Sequence, residues 1–211
     1  MSRSPSLCAV VLAAGESSRM GRDKALLPWP PIQEPGKPLH VQTFLGAQIE
    51  LLRQYSEMVV VVGGKNSDNI SPVVYSAGAF LIRNPAPERG QFSSLQLGMQ
   101  EVLNRGRDAA IVALVDRPPA LPATVHLLDQ AFRDSLTHGF WAVVPQYEGR
   151  HGHPVLVSRE MITAFLAAPT TATARDVEHA HQQRISYIAV SDPLVTANID
   201  TPADYAQLPR A

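Results

Sequence analysis

A short basic loop near the N-terminus carries the strongest chemical signal in the sequence. It runs from Leu12 to Lys24 with the sequence LAAGESSRMGRDK. The small residues at 13–15 let a ligand approach the backbone closely, and consecutive N–H groups in such a turn can bind an anion. Three cations, Arg19, Arg22 and Lys24, follow within six residues, which suits a polyphosphate. The loop matches no standard glycine-rich phosphate motif, and a glycine turn with a solvated basic flank is the alternative interpretation.

Two aspartates stand beside prolines that restrict the chain. Asp116 ends an apolar run and precedes Pro118-Pro119. A carboxylate in this place would lie at the carboxyl edge of a sheet, where ligands bind. Asp200 precedes Thr201-Pro202. Each aspartate could instead be a turn residue or part of a helix start.

The histidines and the cysteine do not indicate a further catalytic site. His151 and His153 are two positions apart, as are His179 and His181. Neither pair has the i, i+4 spacing of a helical zinc site. The single cysteine, Cys8, lies inside an apolar run, so neither a cysteine-rich zinc site nor a cysteine nucleophile is predicted.

The elements that must position these residues alternate along the chain. Short apolar runs predict strands at 7–12, 58–62, 79–82, 110–115, 141–144, 155–157 and 185–190. Helices are predicted at 41–55, 93–102 with Ser93 as its N-cap, 123–136, 159–166 and 173–181. This alternation predicts a three-layer, Rossmann-like α/β fold with a mostly parallel sheet. The loops after Leu12, Gly63, Ile82 and Val115 should therefore form the site.

Length and composition limit the classes of protein that need to be considered. The 211 residues predict a single domain, 1–211. Charged residues make up 18% and the net charge is −1, which disfavours a nucleic-acid binder. No apolar run reaches the roughly 20 residues of a membrane span, and no signal pattern is present. One cysteine fits a reducing compartment, so a cytoplasmic location is expected.

Several motifs occur in order along nearly the whole chain. They are the first loop at 12–24, GKPL at 36–39, VVVVGG at 59–64, NP at 84–85, GQFSSLQLG at 90–98, LVDRP at 114–118, GRHGHPV at 149–155 and NIDTPADY at 198–205. Together they resemble the nucleotidyltransferases of the molybdenum-cofactor and sugar-phosphate type. The set is most similar to the molybdenum cofactor cytidylyltransferases. Arg117 and Asn198 depart from that pattern, which often has a neutral residue and an aspartate there.

The resemblance implies a Mg²⁺-dependent nucleotidyl transfer. In this reaction an acceptor phosphate attacks the α-phosphorus of a nucleoside triphosphate, and pyrophosphate leaves. Arg19 and Lys24 would bind the phosphates, with Lys24 nearest the α-phosphate. Asp116 and Asp200 would hold the metal, because Mg²⁺ usually takes one or two carboxylates and keeps waters and phosphate oxygens. Lys24, Arg19 and Asp116 are therefore the expected catalytic residues.

The resemblance also implies which residues face the nucleotide and the acceptor. The nucleotide-binding set is Leu12, Ala13, Ala14, Gly15, Arg19, Lys24, Asn84, Gly90, Ser93 and Ser94. The two serines could equally belong to an ordinary capped helix, and Asn84 to a turn before Pro85. His153, in a Gly-His-Pro segment, is expected on the acceptor side.

The expected substrates are CTP, or another nucleoside triphosphate, and the molybdopterin form of molybdenum cofactor. The guanine-specific branch of the family tends to carry Leu-Ala-Gly-Gly in the first loop. The methyl group of Ala14 would narrow the space beside the base and favour a pyrimidine. The alternatives are a sugar- or alcohol-phosphate nucleotidyltransferase and a non-catalytic nucleotide-cofactor chaperone. A client molybdoenzyme or its chaperone is a further expected partner, whereas nucleic acid and membrane are not.

Overall fold

The computed structural model describes residues 5–31 and 42–208. The strands are β1 (Leu7–Ala13), β2 (Pro28–Trp29), β3 (Gln42–Thr43), β4 (Met58–Gly63), β5 (Phe80–Arg83), β6 (Ala109–Leu114), β7 (Ala142–Tyr147), β8 (Arg150–His151), β9 (Val155–Ser158) and β10 (Ile185–Ala189). The α-helices are α1 (Phe44–Leu52), α2 (Ser67–Ser76), α3 (Gln91–Asn104), α4 (Pro122–Thr137), α5 (Arg159–Ala167), α6 (Ala174–Ala180) and α7 (Pro202–Ala206). The GKPL motif at 36–39 and most of the proline-rich stretch 29–37 lie outside the described residues.

One mostly parallel sheet organises these elements. Its order is β10-β7-β9-β6-β1-β4-β5, with β8 paired to β7, while β2 and β3 form a separate ribbon. The strand β1 lies between β4 and β6 and is parallel to both. Only β9 runs antiparallel to its neighbours β6 and β7 within that order. The predicted α/β class with a mostly parallel sheet is therefore confirmed.

The central strand β1 is buried on both faces of the sheet. Every one of its seven residues is buried. Val11 packs into one core with residues of α1 and α4, whereas Val10 packs into a second core with residues of α3 and α5. A continuous apolar run can occupy such a place because both of its side-chain rows leave water. The loop that follows Ala13 thus starts from a rigid base.

Helix α2, which contains a proline, is absent from the helices predicted from the sequence. The helix α2 contains Pro72 in its interior, where a missing N–H ordinarily breaks the helix. The carbonyl that this N–H would have satisfied belongs to Asp68. The Ser71 hydroxyl donates to that carbonyl at 3.1 Å, so the helix continues with its backbone acceptor satisfied.

The N-cap predicted for the next helix is wrong. Helix α3 begins at Gln91, with Gly90 in the capping position, instead of at Ser93. The Ser93 hydroxyl lies inside the first turn and donates back to the carbonyl of Gly90 at 2.7 Å. Within the described ranges, no helix has both the length and the apolar character that crossing a bilayer requires.

Candidate active site

The first loop leaves β1 in a fixed shape. Ser17 adopts a left-handed conformation with φ of 52°, which is uncommon for a residue with a side chain. Its hydroxyl oxygen accepts the backbone N–H of Lys24 at 3.1 Å. The short 3₁₀ turn Ser18–Met20 buries Met20 in a small apolar cluster with Phe44. A loop held in this way presents its backbone and its cations in one arrangement.

Asn66 and Asp23 connect the loop to the start of α2. The Asn66 side-chain amide donates to the carbonyl of Ala13 at 3.0 Å and to the Asp23 carboxylate at 2.7 Å. The other oxygen of Asp23 accepts the N–H of Ala25 at 3.0 Å. Sequence reasoning missed both residues. The available signal was an aspartate immediately before Lys24, in the position of a helix cap.

Three predicted ligand residues meet as one ion cluster. Lys24 Nζ lies 2.7 Å from Asp200 Oδ1, and an Arg19 guanidinium nitrogen lies 3.2 Å from the same oxygen. The amide of Asn198 donates to the other oxygen of Asp200 at 2.7 Å. The hydrogen bond from Lys24, with the charges of Lys24 and Arg19, holds the pKa of Asp200 below its usual value. The Lys24 side chain is only 11% exposed and that of Arg19 is 71% exposed, so Lys24 depends on Asp200 as its counter-ion.

Asp116 stands at the end of β6, beside this cluster. Its backbone carbonyl accepts the N–H of Ile199 at 2.8 Å, which ties the two aspartate segments together. Its Oδ1 is buried and has no hydrogen-bond partner in the part of the chain that the structure describes. A buried carboxylate oxygen without a donor suits a hard divalent cation.

A metal at Asp116 would need ligands from outside the protein. Across residues 5–31 and 42–208, no group of three or more His, Cys, Asp or Glu side chains could hold a metal ion. Asp116 offers a free oxygen, whereas Asp200 is engaged by Lys24, Arg19 and Asn198. The residues present therefore fit a cation whose remaining ligands are water and phosphate oxygens.

A cavity of about 280 Å³ opens between the first loop, the start of α3 and Asp116. Its walls are formed by Leu12, Ala14, Gly15, Ser17, Lys24, Pro87, Gly90, Gln91, Ser94, Val115 and Asp116. Seven predicted site residues are among them. Ala13 is buried in β1 behind this surface, and Arg19 and Asp200 reach it through their contacts with Lys24.

Asn84 lies behind the cavity and holds the start of α3 in place. It is buried, and its amide group donates to the hydroxyls of Ser93 and Ser94, both at 2.9 Å. Its Oδ1 accepts the N–H of Ala86 at 2.9 Å. Because both amide hydrogens are in use, this geometry favours a positioning role for Asn84. Its contact with a base stays a prediction.

A second, larger cavity of about 630 Å³ lies on the other side of the α3 N-terminus. Its walls are mainly apolar, with Phe92 and Phe165 among them, and Arg89 and Glu178 are its charged groups. Burial raises the pKa of Glu178 above its usual value. No sequence pattern singles out this carboxylate, because it lies on a short helix like any exposed glutamate. Leu12, Gly90 and Gln91 line both cavities, so the two spaces adjoin.

His153, the residue expected on the acceptor side, borders the larger cavity. Its Nδ1 atom is buried and has no partner among the described residues. Burial, with the nearby charge of Arg117, lowers the pKa of His153 to about 3. The imidazole is therefore neutral at physiological pH. Its role toward an acceptor stays a prediction.

Known proteins resemble the chain over most of its length. A protein of Mycobacterium ulcerans named probable molybdenum cofactor guanylyltransferase is 30% identical over 94% of this chain and 91% of its own. The molybdenum cofactor cytidylyltransferase of Escherichia coli is 24% identical over 93% of this chain and 92% of its own. The relatives with the higher identity thus carry the guanylyl name, whereas the motifs alone suggested the cytidylyl branch.

Solved structures confirm the fold. Rv0371c of Mycobacterium tuberculosis superposes with a TM-score of 0.77 at 24% identity, covering 98% of both chains. A second structure of Rv0371c, a complex with manganese, gives a TM-score of 0.73 at 22% identity and covers 96% of this chain and 97% of that one. The model of the MobA-like NTP transferase domain matches residues 9–185. The chain therefore belongs to the family of MobA-like NTP transferase domains.

Proposed function

We propose that this chain transfers CMP from CTP to the phosphate of the molybdopterin form of molybdenum cofactor. An acceptor phosphate oxygen forms the new bond to the α-phosphorus, the bond from the α-phosphorus to the β-phosphate oxygen breaks, and pyrophosphate leaves. One observation carries the proposal. The polar cavity with Lys24 and Asp116 and the larger apolar cavity with His153 share Leu12, Gly90 and Gln91, so two substrates can meet there.

The polar cavity supplies the parts that the donor nucleotide needs. The loop backbone at Ala14 and Gly15 and the start of α3 line the cavity, where they would surround the base and ribose. Lys24 and Arg19 neutralise the phosphates, and Lys24 stabilises charge that grows around the α-phosphorus. Asp116 and Asp200 would hold Mg²⁺, which when bound would polarise the α-phosphate. Rv0371c, which shares this fold, has been solved in complex with manganese, and this supports the proposal that a divalent cation binds here.

The apolar cavity is suited to the acceptor. Its volume of about 630 Å³ and its aromatic walls can take a flat ring system. Arg89 stands beside Gly90, at the junction with the donor cavity, where it can attract the acceptor phosphate. A sugar- or alcohol-phosphate acceptor needs few apolar contacts, so the aromatic walls favour the pterin.

The choice of CTP rests on the methyl group of Ala14, which lines the donor cavity. GTP is the competing donor, because the 30% identical relative carries the guanylyl name. One methyl group changes base selection by about 10- to 200-fold. The remainder must come from the start of α3.

The test is a competition assay with purified protein, molybdenum cofactor, Mg²⁺ and equal concentrations of CTP and GTP. We expect the cytosine dinucleotide by mass analysis and an equivalent amount of pyrophosphate. Ala14→Gly should narrow the CTP preference without inverting it. If the wild-type protein uses GTP equally well, the proposed preference for CTP is overturned, whereas the proposed nucleotidyl transfer still stands. Product binding without pyrophosphate release would instead support the chaperone alternative.

We also propose a single domain and a cytoplasmic location, each supported by one observation. The eight-stranded sheet draws strands from Leu7 to Ala189, which supports a single domain over 1–211. Cys8 is a free thiol buried in β1, which supports a reducing, cytoplasmic location. Limited proteolysis followed by size-exclusion chromatography tests the domain organisation, because a single domain should yield no stable fragment of about half the chain.

A further inference from the structure

Three of the buried polar atoms without a partner in the described chain belong to residues around one small cavity. They are Gln48 Oε1 on α1, Arg117 Nε after β6, and His153 Nδ1 before β9. All three residues line a cavity of about 20 Å³ behind the active site. The rest of its wall is apolar or proline: Leu51, Leu52, Ala113, Leu114, Pro118, Pro119, Ala120 and Pro154. Three buried polar atoms without a partner, on residues around one small cavity, call for a common explanation, because each such atom has lost its hydration without gaining a hydrogen bond.

The size and chemistry of this cavity match a single water molecule. A buried water needs about 10–15 Å³ and two to four polar partners. Arg117 Nε can only donate, and Gln48 Oε1 can only accept. A water molecule accepts from the first and donates one hydrogen to the second. Its other hydrogen then requires an acceptor, and a neutral histidine nitrogen provides one.

The orientation of Gln48 is already determined by its other contacts. Its Nε2 donates to the carbonyl of Leu114 at 2.9 Å and to the carbonyl of Arg117 at 2.8 Å. These two carbonyls flank Asp116. A flipped amide would turn its oxygen toward two carbonyl oxygens, so Oε1 must point away from them. The same side chain therefore holds the Asp116 turn with one atom and faces the small cavity with the other.

Arg117 and His153 also share one hydrogen-bond acceptor. An Arg117 guanidinium nitrogen donates to the carbonyl of Val195 at 3.2 Å, and the backbone N–H of His153 donates to that carbonyl at 2.9 Å. Both residues are thus held by the chain segment that leads to Asp200. This arrangement gives the uncommon Arg117 a structural purpose, away from the phosphates.

We propose that a resident water molecule joins Gln48, Arg117 and His153, and that Gln48 is a positioning residue for both Asp116 and His153. The water donates to His153 Nδ1 and so fixes the tautomer with hydrogen on Nε2. That N–H is the ring group left for the larger cavity, which His153 also lines. One glutamine side chain thereby couples the turn that carries Asp116 to the histidine of the adjoining cavity.

The tautomer can be measured directly on the full chain labelled with ¹⁵N-histidine. Long-range ¹H–¹⁵N correlation should show His153 with an unprotonated Nδ1 and a protonated Nε2 between about pH 5 and 8, where the ring is neutral. His153→Gln identifies the signals. A protonated Nδ1, or the tautomer mixture of an exposed histidine, would overturn the proposal. This readout does not depend on the proposed function.

Two substitutions at Gln48 separate its two tasks. Gln48→Met removes the acceptor and both donors with similar volume, so the His153 tautomer should lose its single state. Gln48→Glu keeps an acceptor for the water but loses both donors to the Asp116 turn. It should preserve the tautomer and raise the Mg²⁺ concentration for half-maximal turnover several-fold, a part that rests on the proposed function. Gln100→Met, on the exposed side of α3, is the matched control and should change neither readout.

If Gln48→Met fails to fold, the wild-type tautomer and a high-resolution crystal structure still test the proposal. Electron density for one water within hydrogen-bond distance of the three atoms supports it. A dry cavity, or a tautomer unchanged in a folded Gln48→Met protein, contradicts it.

Discussion

Replacing Gly64 by alanine should disturb the first loop through direct backbone contact. A Cβ atom at Gly64 would lie 2.7 Å from the carbonyl oxygen of Ala14 and 3.2 Å from the Ala14 Cα and Cβ atoms. Contacts below 3 Å to backbone cannot be relieved by a side-chain rotation. Gly64 cannot retreat easily, because its N–H donates to Asn66 Oδ1 at 3.1 Å and its carbonyl accepts the Ser67 hydroxyl at 2.7 Å.

The expected cost follows from this geometry. Overpacking of a well-ordered contact costs about 1–3 kcal/mol. For a chain of this size, 1 kcal/mol lowers Tm by about 2–4 °C, so Gly64→Ala should lower Tm by about 2–12 °C. The loop must also move toward the cavity that Ala14 lines, which should raise the KM for the nucleotide.

Gly15→Ala is the matched control in the same loop. An added Cβ there meets no atom within 4 Å. The stability should therefore change by less than about 1 kcal/mol. Since Gly15 lines the donor cavity, the methyl group should still weaken nucleotide binding by roughly tenfold, which equals about 1.4 kcal/mol.

Thermal unfolding and steady-state kinetics of both variants check these expectations. The two glycines should give different signatures, with loss of stability at Gly64 and loss of binding alone at Gly15. A Gly64→Ala protein with wild-type Tm and KM would refute the idea that Asn66 and Ser67 hold Gly64 against Ala14.

Further predictions concern the ions and the buried histidine. Asp116→Asn and Asp200→Asn should each lower turnover at least about tenfold with the fold intact, as measured by pyrophosphate release and circular dichroism; wild-type turnover at low Mg²⁺ would contradict the metal role. Lys24→Ala should lower kcat more than it raises KM, because its charge acts as charge builds at the α-phosphorus; an effect on KM alone would indicate ground-state binding. His153, with a pKa of about 3 in the folded chain, stays neutral where unfolded histidine binds a proton. The free energy of unfolding should therefore fall by about 1.4 kcal/mol per pH unit as the pH drops from ~6.5 toward about 3. Denaturation curves at pH 5.5 and 7 should show that His153→Gln removes this component. The same pH dependence of the unfolding free energy in both proteins would contradict the burial argument.

The sequence predicts the parts of the site that local pattern determines. The apolar run of β1 must lie between two layers, so the loop after Leu12 has to emerge at the sheet edge. The same reasoning places Asp116 there, because it follows another fully buried strand, β6. Both expectations depend on neighbouring residues alone, and both agree with the described structure.

Sequence reasoning fails where the decisive contact joins distant segments. Gln48 shares the apolar stripe of α1 with Phe44 and Leu51, so the helical period places it on the inner face, but nothing local indicates which groups it contacts. Its partners, Leu114 and Arg117, are 66 and 69 residues away. Asn66 similarly reaches Ala13 across 53 residues. Side-chain amides of this kind support the site from behind, and only the folded arrangement identifies them.

Asp200 shows the largest difference between its expected and its observed partners. It was expected to hold a metal, and in the structure it neutralises Lys24 and Arg19, the expected phosphate ligands. A triphosphate that arrives alone must therefore compete with Asp200 for both cations.

In Asp200→Asn the cations are released, so metal-free nucleotide should bind more tightly than to the wild type although turnover falls. Calorimetric titration with CTP in excess chelator measures this, and weaker binding to Asp200→Asn would show that Asp200 holds Lys24 in its binding position. With the metal present, each charge exchanges one opposite partner for another, so nucleotide and cation should favour each other's binding by the same factor.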